Sequence, residues 1–209
     1  MSAWVRRALS AVIVAALGGA AGLASLAWQD GSTDAVLTDL DGRPVVLDQA
    51  PDLAGADLRA TGGRFQVPSL ELDVPLLEMS VSDGVLNPPT LTDAFVIRDP
   101  DGTAGSTSRP VIVAVHAVRD GRAPGNAFFQ SGVSDPAVTL SPGHELWVDG
   151  TAYSVVRTEV LAKADAARSA DIWGPRPEGD QRLVIITCLQ RLGHTGPAEE
   201  NLVVHAVRV

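Results

Sequence analysis

Leu183-Val-Ile-Ile-Thr-Cys188 is the stretch on which the reading of this chain turns. It is apolar and rich in β-branched residues, it follows the polar residues Glu178 to Arg182, and it runs into a glycine-containing loop near Gly193. That pattern predicts a short strand buried in a core. Its last residue, Cys188, is the only cysteine in the chain. A thiol is therefore expected where a rigid strand surfaces into a loop, a common setting for a reactive side chain. Burial is the competing expectation, because unpaired cysteine often packs as a small hydrophobe.

Working outward, short β-type segments recur: Gln66 to Leu70, Val74 to Met79, Phe95 to Arg98, Val111 to His116, Val138 to Leu140, Glu145 to Asp149, Tyr153 to Leu161, Leu183 to Cys188 and Leu202 to Val209. Turn residues separate them, and Asp149-Gly150 between Leu146-Trp147-Val148 and Thr151 to Val155 is the clearest hairpin, a two-residue loop of the type I′ kind. Many short strands at this spacing imply an all-β barrel or sandwich. Helical turns are expected around Asn126 to Gly132 and Ala164 to Ile172.

The first 28 residues have a different character. Arg6 and Arg7 precede an uncharged stretch from Ala8 to Trp28, which as a helix reaches roughly 31 Å, about the thickness of a bilayer core. Residues 1–28 are read as a signal anchor, a single transmembrane helix whose basic end stays in the cytoplasm. A cleaved signal peptide ending near Ser25-Leu26-Ala27 is the alternative. Either reading places the remaining chain outside the cytoplasm, where an idle thiol is a liability. Residues 29–64, with seven aspartates and two arginines between Gln29 and Gly63, read as an acidic linker in which Arg43 to Leu47 are expected to form a strand that docks on the domain. Residues 65–209 then form the folded domain.

Composition excludes several functions. The formal charge of -9 and the absence of a basic stretch argue against nucleic acid as a partner. No Cys/His spacing suits zinc and no glycine-rich phosphate loop is present, so neither a metal nor another cofactor is expected. A nucleophilic thiol needs a base, and the histidines are His116, His144, His194 and His205. His116 ends the apolar run Val111 to Val115 and so mirrors Cys188. His194, in the loop after Cys188, is its rival, while His144 in a Ser-Pro-Gly-His turn and His205 within the last strand read as structural. Charge on a substrate carbonyl needs a donor, and Arg191 is the arginine nearest Cys188 in sequence.

With these residues in view, the chain from about Val67 to Val209 resembles the sortases, Cys-His-Arg transpeptidases of Gram-positive surfaces, in particular the actinobacterial forms of classes E and F. The matching pieces are Val67-Pro-Ser-Leu-Glu-Leu-Asp-Val-Pro75, Pro110-Val-Ile-Val-Ala-Val-His116, Pro142-Gly-His-Glu-Leu-Trp-Val148, Leu183-Val-Ile-Ile-Thr-Cys188 and Asn201-Leu-Val-Val204. The resemblance implies an eight-stranded sortase-like β-barrel with short helices, and a groove in which His116 and Cys188 meet an arginine. It implies that Thr187 helps orient substrate. It also implies a membrane-anchored, extracytoplasmic enzyme that cleaves a sorting-signal peptide through a thioacyl intermediate and passes the acyl group to an amine on the cell wall or a pilin. Two features depart from the family pattern: Val115 stands where glycine is usual before the histidine, and Glu199, Glu200 and Asn201 stand where the arginine is usual. Arg191 is taken as the substitute. Two other classes stay open, an L,D-transpeptidase acting on peptidoglycan and a catalytically impaired sortase-like binding or assembly domain.

Overall fold

The computed structural model describes residues 35–47, 51, 56–81, 86–98, 110–175 and 181–209. The expected apolar helix, residues 8–28, lies outside them. Among the described residues no helix is long and apolar enough to cross a membrane.

Eight strands close into a barrel. They are β3 (Arg59–Val67), β4 (Leu72–Met79), β5 (Ala94–Ile97), β6 (Val111–Val115), β7 (Glu145–Val148), β8 (Thr151–Ala162), β9 (Arg182–Cys188) and β10 (Glu200–Arg208), numbered after a separate pair, β1 (Ala35–Thr38) and β2 (Pro44–Leu47). Around the barrel the order is β10-β8-β7-β3-β4-β5-β6-β9. Most neighbours are antiparallel, but β4 with β5 and β6 with β9 are parallel. Closure leaves no free sheet edge, which is how a small all-β domain avoids exposing a row of unpaired backbone groups.

The apolar run of β9 has a direct explanation in this arrangement. Leu183 and Ile185 join the main core inside the barrel with Phe65, Val113, Leu202 and Val204. Val184 and Ile186 point the other way and join a second cluster with Ile112, Val203, Ala166 and Ile172. Ala166 and Ile172 come from two short helices, α1 (Lys163–Ala166) and α2 (Ala170–Trp173), which cover this face. A strand covered on both faces loses the usual alternation of apolar and polar residues. Each such buried aliphatic side chain contributes about 1.5–3 kcal/mol relative to leaving it in water.

Local signals also appear where the residues predict them. Asp149 and Gly150 have φ of 48° and 73°, and Val148 pairs with Thr151, so β7 and β8 are joined by a two-residue loop with both central residues at positive φ. Two expectations differ in detail. Val138 forms only an isolated bridge with Phe129, and the turn near Asn126 is a 3-10 turn over Pro124–Phe128.

The acidic segment expected to be linker carries more structure than its composition suggests. Arg59 to Gly63 belong to β3, and β1 pairs with β2 as a hairpin of its own. Arg43 to Leu47 was expected to dock as a strand, and β2 does so through Val45, which packs with Leu91, Val118 and Ala123. At the hairpin turn Asp39 is only 2% exposed. Its Oδ1 accepts the N–H groups of Asp41 and Arg43 at 2.9 and 2.8 Å, and its Oδ2 accepts that of Arg122 at 2.9 Å. The Arg43 N–H foremost, with those of Arg122 and Asp41, holds the Asp39 carboxyl below the usual aspartate range. Gly121 makes the approach possible, since a Cβ there would meet Val45 Cγ2 at 2.7 Å.

Asp39 is thus one tie between hairpin and barrel, beside the Leu40 N–H that donates to the Arg122 carbonyl at 2.8 Å and the Arg122–Asp41 ion pair at 3.0 Å. In hydrogen exchange, Asp39→Ala is expected to speed the amides of Asp41, Arg43 and Arg122 while leaving β9 protected; unchanged exchange at those amides would show that the hairpin is held without Asp39.

Candidate active site

The site is a consequence of the β6–β9 register. Val111 pairs with Leu183, Ile112 with Val184, Val113 with Ile185 and Ala114 with Ile186. Carried two residues on, the same register brings His116 level with Cys188. Parity fixes the face: Val113, Val115, Leu183 and Ile185 belong to the barrel interior, so the alternate positions face outward. Strands lie about 4.8 Å apart, and both side chains open on one cleft of about 330 Å³. On its other side Cys188 pairs with Asn201 of β10.

Three pieces of chain, with Asn87, enclose this cleft. Ala117 to Asp120 follow His116, Gln190, Pro197 and Ala198 follow Cys188, and β2 forms a wall with Pro44 to Leu47. Side chains bonded to backbone hold the loops. Asn126 Oδ1 accepts the N–H groups of Val118 and Ala123, both at 3.0 Å, and its Nδ2 donates to the Val118 carbonyl at 2.8 Å. Gln190 Nε2 donates across the cleft to the Ala117 carbonyl at 3.0 Å. Gly125 N–H donates to the His116 carbonyl at 2.7 Å. A Cβ on Gly125 would fall 2.1 Å from Thr187 Oγ1, so only glycine fits there.

His116 Nε2 lies 2.6 Å from the Pro88 carbonyl. A carbonyl can only accept, so Nε2 carries the proton and Nδ1 is the acceptor of the neutral ring. Burial pushes the imidazole below its ordinary value; the Pro88 bond opposes this and the charge of Lys163 adds to it. The ring is therefore neutral at pH 7 and able to take a proton. Cys188 is a free, half-buried thiol. Since the thiolate is the nucleophilic form, a thiol beside a neutral imidazole has the parts needed for nucleophilic attack on a carbonyl.

The structure brings His116 and Cys188 together and places the other expected residues elsewhere. Thr187 points inward, is 2% exposed, and does not line the cleft. Arg191 lines a small depression with His194, Glu199 and Glu200 that adjoins the cleft and shares Gln190 and Ala198 with it. There its Nε donates to Glu200 at 2.7 Å and its Nη1 to Asp135 at 3.2 Å, and the Glu200 bond raises its pKa further. His144 sits in its turn with Nδ1 near the Ser141 N–H, and His205 bonds Glu159 at 2.7 Å. Sequence reasoning missed Pro88, Asn126, Gln190 and Arg119. Of these only Arg119 carried a signal, as the arginine in the loop directly after His116. Among the described residues no group of three or more His, Cys, Asp or Glu side chains is gathered to hold a metal ion.

No protein-family model and no curated protein matches the sequence. Solved structures do. Sortase A of Listeria monocytogenes is similar with a TM-score of 0.50 at 15% identity, over 72% of this chain and 88% of that one. Sortase C2 of pilus island 1 from Group B Streptococcus is similar at 0.47 and 16%, over 76% of each chain. A lid mutant of sortase A from Corynebacterium diphtheriae is similar at 0.48 and 17%, over 70% of this chain and 69% of that one. At such identity the likeness to the Listeria protein establishes a shared fold, the closed barrel of a sortase.

The depressed pKa of His116 has a measurable sign. The unfolded chain takes up this proton near pH 6.5 and the folded one only at lower pH, so acidification below about 6.5 favours unfolding. In urea unfolding between pH 8 and pH 5, the wild type is expected to lose more stability than His116→Gln, by up to about 1.4 kcal/mol for each pH unit below the unfolded value. Equal losses would contradict a half-buried, neutral His116.

Proposed function

We propose that this protein is a sortase-type cysteine transpeptidase, placed with the actinobacterial class E and F forms and held at the membrane by residues 1–28 with its barrel outside the cytoplasm. The observation that carries the reading is the meeting of His116 and Cys188 on adjoining parallel strands at one cleft. The fold shared with the Listeria protein is consistent with it.

In this mechanism His116 Nδ1 takes the proton of the Cys188 thiol, and Sγ attacks the carbonyl of a threonyl peptide bond in a sorting-signal peptide. The C–N bond then breaks, the departing amine receives the proton from His116, and the acyl group stays on Sγ as a thioester. An amine of the cell wall or of a pilin attacks that thioester, returns a proton through His116 and leaves with a new amide, regenerating the thiol. A peptide bond is exchanged for another amide, so no nucleotide is consumed. The Pro88 carbonyl holds the proton on Nε2 and leaves Nδ1 as the basic nitrogen, and general acid–base help of this kind contributes typically 10²–10⁴-fold.

Incubating the protein with a panel of sorting-signal peptides and analysing it by mass spectrometry is expected to find an acyl adduct on Cys188. Hydroxylamine should release it as a hydroxamate. The adduct should be absent in Cys188→Ala, and its formation should slow about 10²–10⁴-fold in His116→Ala. A wild-type protein that never acquires an adduct would favour an inert binding or assembly domain.

A further inference from the structure

We infer that the outer edge of β2 is where the acyl-donor peptide docks, added as an extended strand beside the hairpin; this rests on the acyl-transfer reading above. The first ground is what β2 turns toward the cleft. Pro44, Val45, Val46 and Leu47 all line it, and β1 contributes none of the described lining. Successive side chains of a strand point to opposite faces, and here Val45 is buried against Leu91, Val118 and Ala123 while Val46 is 60% exposed. Four consecutive residues therefore line one cleft because the strand presents its edge, and with it its backbone.

The second ground is the phase of the hairpin's hydrogen bonds. The Asp39 N–H donates to the Arg43 carbonyl at 2.9 Å, and in the register that follows Leu37 faces Val45 and Val36 faces Val46. Hydrogen-bonded and non-hydrogen-bonded pairs alternate along an antiparallel ladder. Counted from Asp39 and Arg43, Leu37 and Val45 form a bonded pair and Val36 and Val46 do not, so the N–H and C=O of Val46 point away from β1, toward the cleft. Pro44 adds a carbonyl in the same phase and no N–H. Among the described residues β2 pairs with β1 alone, and no other backbone group bonds to Val46.

The third ground is the match between this edge and its occupant. The barrel is closed and offers no edge, which leaves the hairpin among the described residues, and β2 is the strand of it that shares a cleft with Cys188. An unpaired edge is a template for another extended chain: main-chain bonds supply affinity, and pockets for alternate side chains supply specificity. The acyl donor brings the repeated N–H and C=O groups such an edge pairs with. Its segment on the amino-terminal side of the cleaved bond also stays joined to Sγ in the thioester, so bonds to Val46 hold it through both attacks. The resolving amine needs to bring only a nitrogen.

The test compares Val46→Pro with Val36→Pro in the full-length protein. Proline removes one N–H, and an edge-strand position whose N–H points away from the ladder tolerates it, so the two variants make the same change on opposite edges of the hairpin. Single-turnover acylation is followed against the concentration of a peptide, from the panel above, that acylates the wild type. Val46→Pro is expected to raise the half-saturating concentration about 2–10-fold, the worth of one such bond, while the maximal rate and the alkylation of Cys188 by iodoacetamide stay unchanged. Val36→Pro should match the wild type throughout. N-methylation of the peptide at successive residues on the amino-terminal side of the cleaved bond should weaken acylation with a period of two, because alternate N–H groups of an added strand face β2. An unshifted half-saturation in Val46→Pro, an equal shift in Val36→Pro, N-methyl effects without alternation, or a loss confined to the amine step would each overturn the inference. Hydrogen exchange at the Leu37 and Val45 amides shows whether the hairpin stays closed, and if Val46→Pro opens it the N-methyl series on the wild type decides. A wild type that no peptide acylates defeats the acyl-transfer reading and this inference with it, whereas acylation indifferent to Val46→Pro and to N-methylation defeats the inference alone.

Discussion

The parallel pairing of β6 with β9 is the constraint on which the rest of the structure depends. Parallel neighbours run in step, so the two strands end at the same rim and their last side chains project to the same face. His116 and Cys188 are far apart in sequence, yet two apolar strands ending together need no further device to bring imidazole and thiol to one cleft. The cost of holding a polar pair there is met by packing beneath it: Leu183 and Ile185 anchor β9 from inside the barrel, Val184 and Ile186 from outside. A nucleophile carried on a strand fixed on both faces moves little, which is what reaction geometry demands.

Around that rigid pair the cleft is assembled from loops, and loops need ties. Asn126 closes the turn after His116, Gln190 bridges it to the loop after Cys188, and Arg119 reaches Gly196. Asp39 brings in the hairpin, so that β2 becomes a wall of the cleft. These bonds run from side chains to backbone and each satisfies a polar group that burial would otherwise leave costly. The electrostatics follow from the same burial: it keeps His116 neutral, and the Pro88 carbonyl selects the nitrogen left to act as base.

Much of this was legible in the residues. The apolar runs Val111 to Val115 and Leu183 to Cys188 announced strands, and the polar residue ending each announced a site. Asp149-Gly150 announced its hairpin because two positive φ angles leave few other choices. What escaped has physical reasons. Among seven aspartates between Gln29 and Gly63, nothing local distinguishes the buried Asp39 from its solvated neighbours, so a hairpin read as linker. Thr187 is next to Cys188 in sequence, and for that reason faces the opposite way. Arg191 is near Cys188 along the chain, but the distribution of partners, Glu200 and Asp135, is a property of the folded rim. Arg119 was equally near His116 and reaches the cleft because its loop folds back over it.

Since Cys188 is the only cysteine, a second one introduced by His116→Cys tests the central geometry directly. Positions level on neighbouring strands lie within the Cα separation that a disulfide spans, about 4.4–6.8 Å. Mild oxidation of His116→Cys should close an intrachain disulfide, read by mass as the loss of two hydrogens and reversed by reductant. His194→Cys, nearer to Cys188 in sequence but off the cleft lining, in the adjoining depression, should keep both thiols free. A His116→Cys protein that stays reduced, or that links only between chains while His194→Cys closes readily, would contradict the meeting of β6 and β9 at one rim.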